Sequence, residues 1–228
     1  VYEAIASGRS QRTGLGAPVN FHRIIAEGTL REAQAVLGHV GLQYHPDYRS
    51  VLDAALRSPR AGLRVQAAAV HAKLRGEIAG RLRNGLSEVT ALQGNGHEPH
   101  RLAAALDTLR ECRQSGFLDG AECRRVAACL VSVSDVLTDS AQQLPRDVVL
   151  ALMRALDSAG EHGPVLWWLT ERSDLGDAET GELRLRALMK LKRFSDLRAA
   201  LPARARERAP SWPGGVLDGA LAAVVRGG

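Results

Sequence analysis

The sequence is short of aromatic residues, of lysine, of cysteine and of long apolar runs, and each shortage excludes a class of protein. Aromatics are 4% of the 228 residues while hydrophobic residues are 45%, so an interior has to be assembled from Ala, Leu and Val. Such small, unbranched or singly branched side chains suit closely packed helices. Alternating runs of Thr, Tyr, Phe and Ile, which a β-sandwich of this length needs, are nearly absent. Three cysteines, Cys112, Cys123 and Cys129, are too few for a disulfide framework. They lack the CxxC spacing of a zinc site, so buried thiols in a reducing compartment are expected. No apolar run reaches the roughly eighteen residues that crossing a bilayer requires, and no signal-peptide pattern is present. Because it starts with Val1 and not Met, the sequence reads as part of a longer chain, and membrane contact is expected only through a segment outside it.

Lysine supplies 3 of the 30 basic residues and arginine the rest, a skew that GC-rich bacterial coding produces by itself. The net charge of +5 lies in residues 1–96, which hold 12 basic and 7 acidic side chains, whereas residues 97–228 hold 18 of each. A nucleic-acid binder concentrates basic residues on one element beside aromatics or glycines. That pattern is missing, so nucleic acid is disfavoured as a partner, because diffuse basic charge gives only sequence-independent attraction.

What is present is helical periodicity. Residues 1–19, with Ser7-Gly8-Arg9-Ser10 and Thr13-Gly14-Leu15-Gly16-Ala17-Pro18, read as a linker or irregular entry. Asn20 can cap a short helix carrying Phe21, Ile24 and Ile25 and stopping near Gly28. Thr29-Leu30-Arg31-Glu32 is a capping box, opening a helix that Gly38 or Gly41 should end. Pro46 suits a first helical turn, ahead of Tyr48, Val51, Leu52, Ala55 and Leu56. Ser58-Pro59 breaks that helix, and the next, from about Ala61, carries Leu63, Ala67, Val70 and Leu74. Continuing it through Ile78 and Leu82 has to overcome Gly76 and Gly80, each costing about 1 kcal/mol relative to Ala. Gly94-Asn95-Gly96 is the clearest internal boundary, separating a block at 20–93 from one at 97–228. In the second block Pro99, the box-like Asp119–Glu122, Pro145 and Asp177 open helices, and Ser115-Gly116 and Gly160 close them. The apolar stripe after Asp177 runs through Leu183, Leu185, Leu188 and Leu191, and a last weak helix is expected from about Val216.

No arrangement of residues along the chain carries catalysis. His97-Glu98-Pro99-His100 gathers two imidazoles and a carboxylate, but Pro99 prevents a regular helix across them and no third ligand of suitable spacing follows. His22, His39, His45, His71 and His162 are scattered, with His71 beside an apolar stripe as a packing residue. Thr13 to Pro18 lacks the Lys-Ser or Lys-Thr of a phosphate loop, and there is no G-x-S-x-G elbow. No metal and no cofactor are expected. The candidate partner-binding residues are Trp167 and Trp168, about 100° apart on a helix so that one can be core and its neighbour rim, together with Arg75, Arg81 and Arg83. A further set, Arg184, Arg186 and Arg193, lies in the basic run that follows the acidic stretch 161–182 and could face a charged partner.

Two helical-repeat families are similar in part. Residues 51–74, VLDAALRSPRAGLRVQAAAVHAKL, resemble a HEAT-like pair, although the usual acidic residue before the Arg is missing. Residues 183–201, LRLRALMKLKRFSDLRAAL, resemble the heart of a tetratricopeptide repeat, without that family's Trp, Gly and Tyr. The order GAPVNFHRIIAEG, GLQYHPDYRSVL and RVQAAAVHAKLR is also similar to the PelE family, the tetratricopeptide-containing inner-membrane subunits of bacterial Pel exopolysaccharide systems. That resemblance implies a non-catalytic scaffold contacting other protein subunits, among them polysaccharide synthase components, at the cytoplasmic face of the inner membrane. The expected fold is all-α, an α-solenoid of antiparallel helix pairs that is HEAT-like and then tetratricopeptide-like. A nucleic-acid-binding regulatory protein using the Arg-rich segments is the alternative, and an enzyme whose site forms only in space is a third reading.

Overall fold

The computed structural model describes residues 19–92, 98–175, 178–197 and 199–200. Among them every regular element is helical. The entry segment, the Gly94–Gly96 break with His97, the Asp177 start and the proline-rich tail with its expected last helix lie outside the described residues.

The N-terminal block is α1 (Val19–Glu27), α2 (Leu30–Leu42) and α3 (Arg49–Leu56), the last two joined through a 3-10 turn at Pro46–Tyr48. Asn20 is not a cap, because α1 already includes Val19. The Thr29 box forms as expected: its hydroxyl accepts from Glu32 N–H at 3.2 Å while Glu32 accepts from Thr29 N–H at 2.9 Å. Neither Gly38 nor Gly41 ends α2. Gly41 instead lies where an added Cβ would touch both methyls of Val70 at 3.4 Å, so its missing side chain lets α2 approach α4 (Ala61–Leu92).

Helix α4 is 32 residues long and passes straight through Gly76 and Gly80. Its propensity deficit is outweighed by tertiary packing, which dominates helix stability in proteins. The two halves face different neighbours. In the first, Gln66 donates to Gln34 O at 3.2 Å and Lys73 to Gly41 O at 2.9 Å. The constant offset means that α2 and α4 run parallel, while α3 packs on α4 and α1. In the second half, Gly85 sits under Leu109 and Thr108, and Arg81 pairs with Glu111. Arg101 pairs with Glu88 at 3.1 Å, so α4 and α5 (Pro99–Gln114) are antiparallel. One helix thereby belongs to both blocks, and a single apolar core extends from Phe21 to Ala187.

Beyond α5 come α6 (Gly120–Leu137), a 3-10 segment (Thr138–Gln143), α7 (Arg146–Ala159), α8 (His162–Glu171), a 3-10 turn (Ser173–Leu175) and α9 (Ala178–Lys190). Glycines close two of the joints: Gly116 and Gly160 have φ of 75° and 89°, a conformation glycine adopts without a Cβ clash. Helix α7 is the centre of the block. Val148 to Met153, Ala155 and Leu156 are all buried, so α7 is enclosed over most of its circumference, and its charged face, with Arg154 and Asp157, turns to α9. Its most extensive packing is on α5, followed by α6 and α8. His100 and Asp147, both in the first turn of their helices, are 3.0 Å apart, so α5 and α7 run side by side in the same direction. Arg154 pairs with Glu179, and Arg186 with Asp157 at 2.6 Å, which sets α9 alongside α7 in the same sense. Leu191 departs from the expected stripe: it lies past the end of α9 and is exposed.

Candidate functional site

The tryptophan pair divides as their spacing on a helix requires. Trp168 is fully buried, and its indole N–H donates to the buried hydroxyl of Ser134 at 2.8 Å, pinning α8 to α6. Trp167 stands perpendicular to it at 5.1 Å and is 37% exposed. Only Trp167 is therefore available to a partner.

The arginines singled out in the sequence are mostly engaged inside the molecule. Arg75 joins α4 to the start of α6 by an ion pair with Glu122 at 2.8 Å, with Asp119 at 3.8 Å. That hydrogen bond lowers the Glu122 carboxyl below the usual carboxylate range. Arg81 pairs with Glu111. Arg184 donates to Leu169 O at 3.0 Å, and Arg186 bridges Asp157 and Glu182. Arg193 holds Asp196 three residues on, at 2.6 Å. Arg83 is exposed and makes no ion pair among the described residues. Apart from Glu182, four residues before Arg186 on the same helix, spacing alone gave no way to see these partners, because each lies on another helix or around a turn.

Sequence patterns did not mark a further buried polar cluster. Arg172 is buried after α8 and donates to Ala141 O at 3.1 Å and Leu144 O at 2.8 Å. Its other nitrogens form a two-bond fork with Asp174 at 2.8 and 2.9 Å, which holds the Asp174 carboxyl below its ordinary range. A second polar junction joins the two blocks. Tyr44 donates to Ser115 O at 2.7 Å, and burial pushes its phenol up to about 12. Phe117 receives the Arg49 guanidinium over its ring at 4.6 Å and the His71 ring at 5.1 Å. His71 is thus a packing residue, and burial lowers its basicity.

Among the described residues, a shallow, open groove of about 530 Å³ lies along the outer side of α6. Arg124, Ala127, Ala128, Val131, Ser132 and Asp135 line it, with Glu161 from the start of α8. Small side chains, Ala127, Ala128 and Ser132, form much of its lining, with opposite charges from Arg124, Asp135 and Glu161. These positions recur at helical spacing on the side of α6 away from Val126, Leu130 and Val133, so the groove is the unburied complement of the core stripe.

Among the described residues no group of three His, Cys, Asp or Glu side chains is placed to hold a metal ion. His97 lies outside them, and His100 faces Asp147. Burial raises the Cys112 and Cys129 thiols above their ordinary range, which disfavours the reactive thiolate. No described helix is long and apolar enough to cross a membrane. Compared with protein-family models, curated proteins and solved structures, the chain finds no match in any of the three.

Proposed function

We propose that this chain is a non-catalytic scaffold for protein–protein interaction, built as a stack of antiparallel helix pairs that is HEAT-like at its start and tetratricopeptide-like afterwards. The observation that carries the reading is the shallow, open groove along α6, floored by Ala127, Ala128 and Val131. A partner segment laid there would displace water from Ala127, Ala128 and Val131 without ordering any long side chain, so little of the binding free energy would be lost to immobilisation. The layer beneath is rigid because α6 is tied to α8 through Trp168 and to α4 through Arg75. The engagement of most of the candidate arginines within the chain supports this reading over nucleic-acid binding, since paired guanidinium groups have little charge to offer phosphates.

From the resemblance in the sequence, we further propose that the partners are other protein subunits of a membrane-associated exopolysaccharide biosynthesis complex, met at the cytoplasmic face of the bacterial inner membrane. The test is affinity capture from the native host, using the chain as it occurs there and the variant Ala128→Arg/Ser132→Arg. Both positions are exposed, so the variant fills the groove without touching the core. The expected result is recovery of polysaccharide-synthase subunits by the unaltered protein and their loss with the variant. Recovery of nucleic acid in place of polypeptides would refute the proposal.

A further inference from the structure

The end of the stack carries a second surface. Leu185, Leu188 and Leu197 form a small cluster separate from the main core, backed by Leu166, Met189 and Ala200. Immediately around it Leu191 is 41% and Phe194 57% exposed. Helix α9 ends in a Schellman motif: Arg193 N–H reaches Leu188 O at 2.9 Å and Lys192 N–H reaches Met189 O at 3.1 Å. The left-handed position of that motif is normally glycine. Here it is Lys192, with φ of 57°, the one non-glycine residue at positive φ among the described residues. A strained lysine held between exposed Leu191 and Phe194 points from structure toward use. The charges agree. Across residues 178–197 the acids Glu179, Glu182 and Asp196 are each paired with an arginine, whereas Lys190 and Lys192 are exposed with no acidic partner among the described residues.

We propose that this edge, Lys190, Leu191, Lys192 and Phe194, is a docking site for an acidic amphipathic segment of a partner protein. Charge complementarity selects that occupant. A second copy of this chain would set Lys190 and Lys192 against their own counterparts. The chain's own residues 201–228 bring Arg204, Arg206, Arg208 and Arg226 against only Glu207 and Asp218. An acidic partner segment alone satisfies both the apolar pair and the two lysines. The proposal rests on the scaffold reading and names a contact distinct from the α6 groove.

The probe is a pair of labelled helical peptides of about four turns, with the same Leu/Phe face but a Glu-rich or a Lys-rich polar face. Fluorescence anisotropy against the full chain is the measurement. The Glu peptide is expected to bind and to weaken as salt rises, and the Lys peptide is expected not to bind. Lys190→Glu/Lys192→Glu and Phe194→Ala, all at exposed positions, should each weaken the Glu peptide by about tenfold or more, with circular dichroism unchanged. Lys192→Gly should raise Tm by relieving the backbone and still weaken binding, a split that a merely structural lysine would not give. Equal binding of the two peptides, no binding of the Glu peptide, or unchanged affinity in the Phe194→Ala protein would overturn the proposal. So would a dimer that Phe194→Ala dissolves, or binding that emerges only in a Leu217→Asp/Leu221→Asp protein. Capture of partner subunits by Lys190→Glu/Lys192→Glu at the unaltered level, with loss by Ala128→Arg/Ser132→Arg, would remove this site and leave the scaffold reading standing.

Discussion

The bond between Trp168 and Ser134 gives the sharpest test of how the helical layers are held together. Replacing Trp168 by Phe keeps a ring in the core but deletes the indole N–H, and with it the 2.8 Å contact to the Ser134 hydroxyl. Both groups are buried, so water cannot take the vacated place without cost. The net loss of one such hydrogen bond is about 1 kcal/mol. The smaller ring leaves a gap in a close-packed interior, adding a further ~1 kcal/mol or somewhat more. Trp168→Phe is therefore expected to lose about 2–3 kcal/mol. Ser134→Ala leaves the indole N–H buried without an acceptor and should cost about 1–3 kcal/mol. The double variant carries neither orphan, so its loss should fall short of the sum by about 1 kcal/mol.

Urea unfolding followed by far-ultraviolet circular dichroism measures all four proteins on one scale. The midpoint should move with the slope unchanged, since the surface exposed on unfolding is nearly the same. In heat, the single tryptophan substitution should lower Tm by roughly 5–10 °C for a chain of this size. Strict additivity of the two substitutions, or a loss of less than about 0.5 kcal/mol for Trp168→Phe, would mean that α8 is not pinned to α6 by this contact. The rigidity assigned to the groove would then have no basis.

Three further outcomes follow from the packing and the ion pairs. Gly76→Ala and Gly80→Ala place their methyls where nothing lies within 4 Å and should each stabilise by about 0.5–1 kcal/mol. Gly85→Leu drives into Leu109, already 3.1 Å from a built Cβ, and should destabilise by about 1–3 kcal/mol; thermal melts of the three order them. Glu122 has its folded-state pKa lowered by Arg75, so its contribution is present above the unfolded carboxylate value and is lost as pH falls through the folded one. Tm measured from pH 6 down to pH 3 should therefore fall less steeply in Glu122→Gln than in the unaltered protein. Arg172→Met removes the donors to Ala141 O and Leu144 O, with a cost of about 2–3 kcal/mol and faster amide exchange confined first to residues 138–144.

How much of this was legible in the sequence depends on whether a signal is local. Thr29 with Glu32 and Asp119 with Glu122 could be read directly, because a capping box closes within one turn and needs no distant partner. The same holds for Pro99 at the start of α5 and for Gly160 at the end of α7. Buried stripes such as Leu102, Ala105, Leu106 and Leu109 followed from helical periodicity. The glycines of α2 and α4 were a different matter. A glycine is a stop only where the chain needs positive φ, and at Gly41 what counts is the close approach of Val70, a fact about another helix. Gly76 and Gly80 are carried by the packing of Leu74, Ile78 and Leu82 on either side of them.

The arginines show the same limit at the level of function. A run of basic residues is a statement about charge along the chain, whereas availability to a partner is a statement about what stands opposite in space. Arg184 and Arg186 lie two apart in the sequence, yet one caps a carbonyl of α8 and the other clamps the buried Asp157. Lys190 and Lys192, which in the sequence read as dipole-matched charges at the end of their helix, are exposed with no acid beside them among the described residues. Binding capacity in a helical stack is therefore set by the charges the fold leaves unpaired. Among the described residues of the basic run from Arg184 onward, Arg186 and Arg193 are held in ion pairs and Arg184 donates to a backbone carbonyl, which leaves Lys190 and Lys192 on either side of Leu191, close in sequence to Phe194.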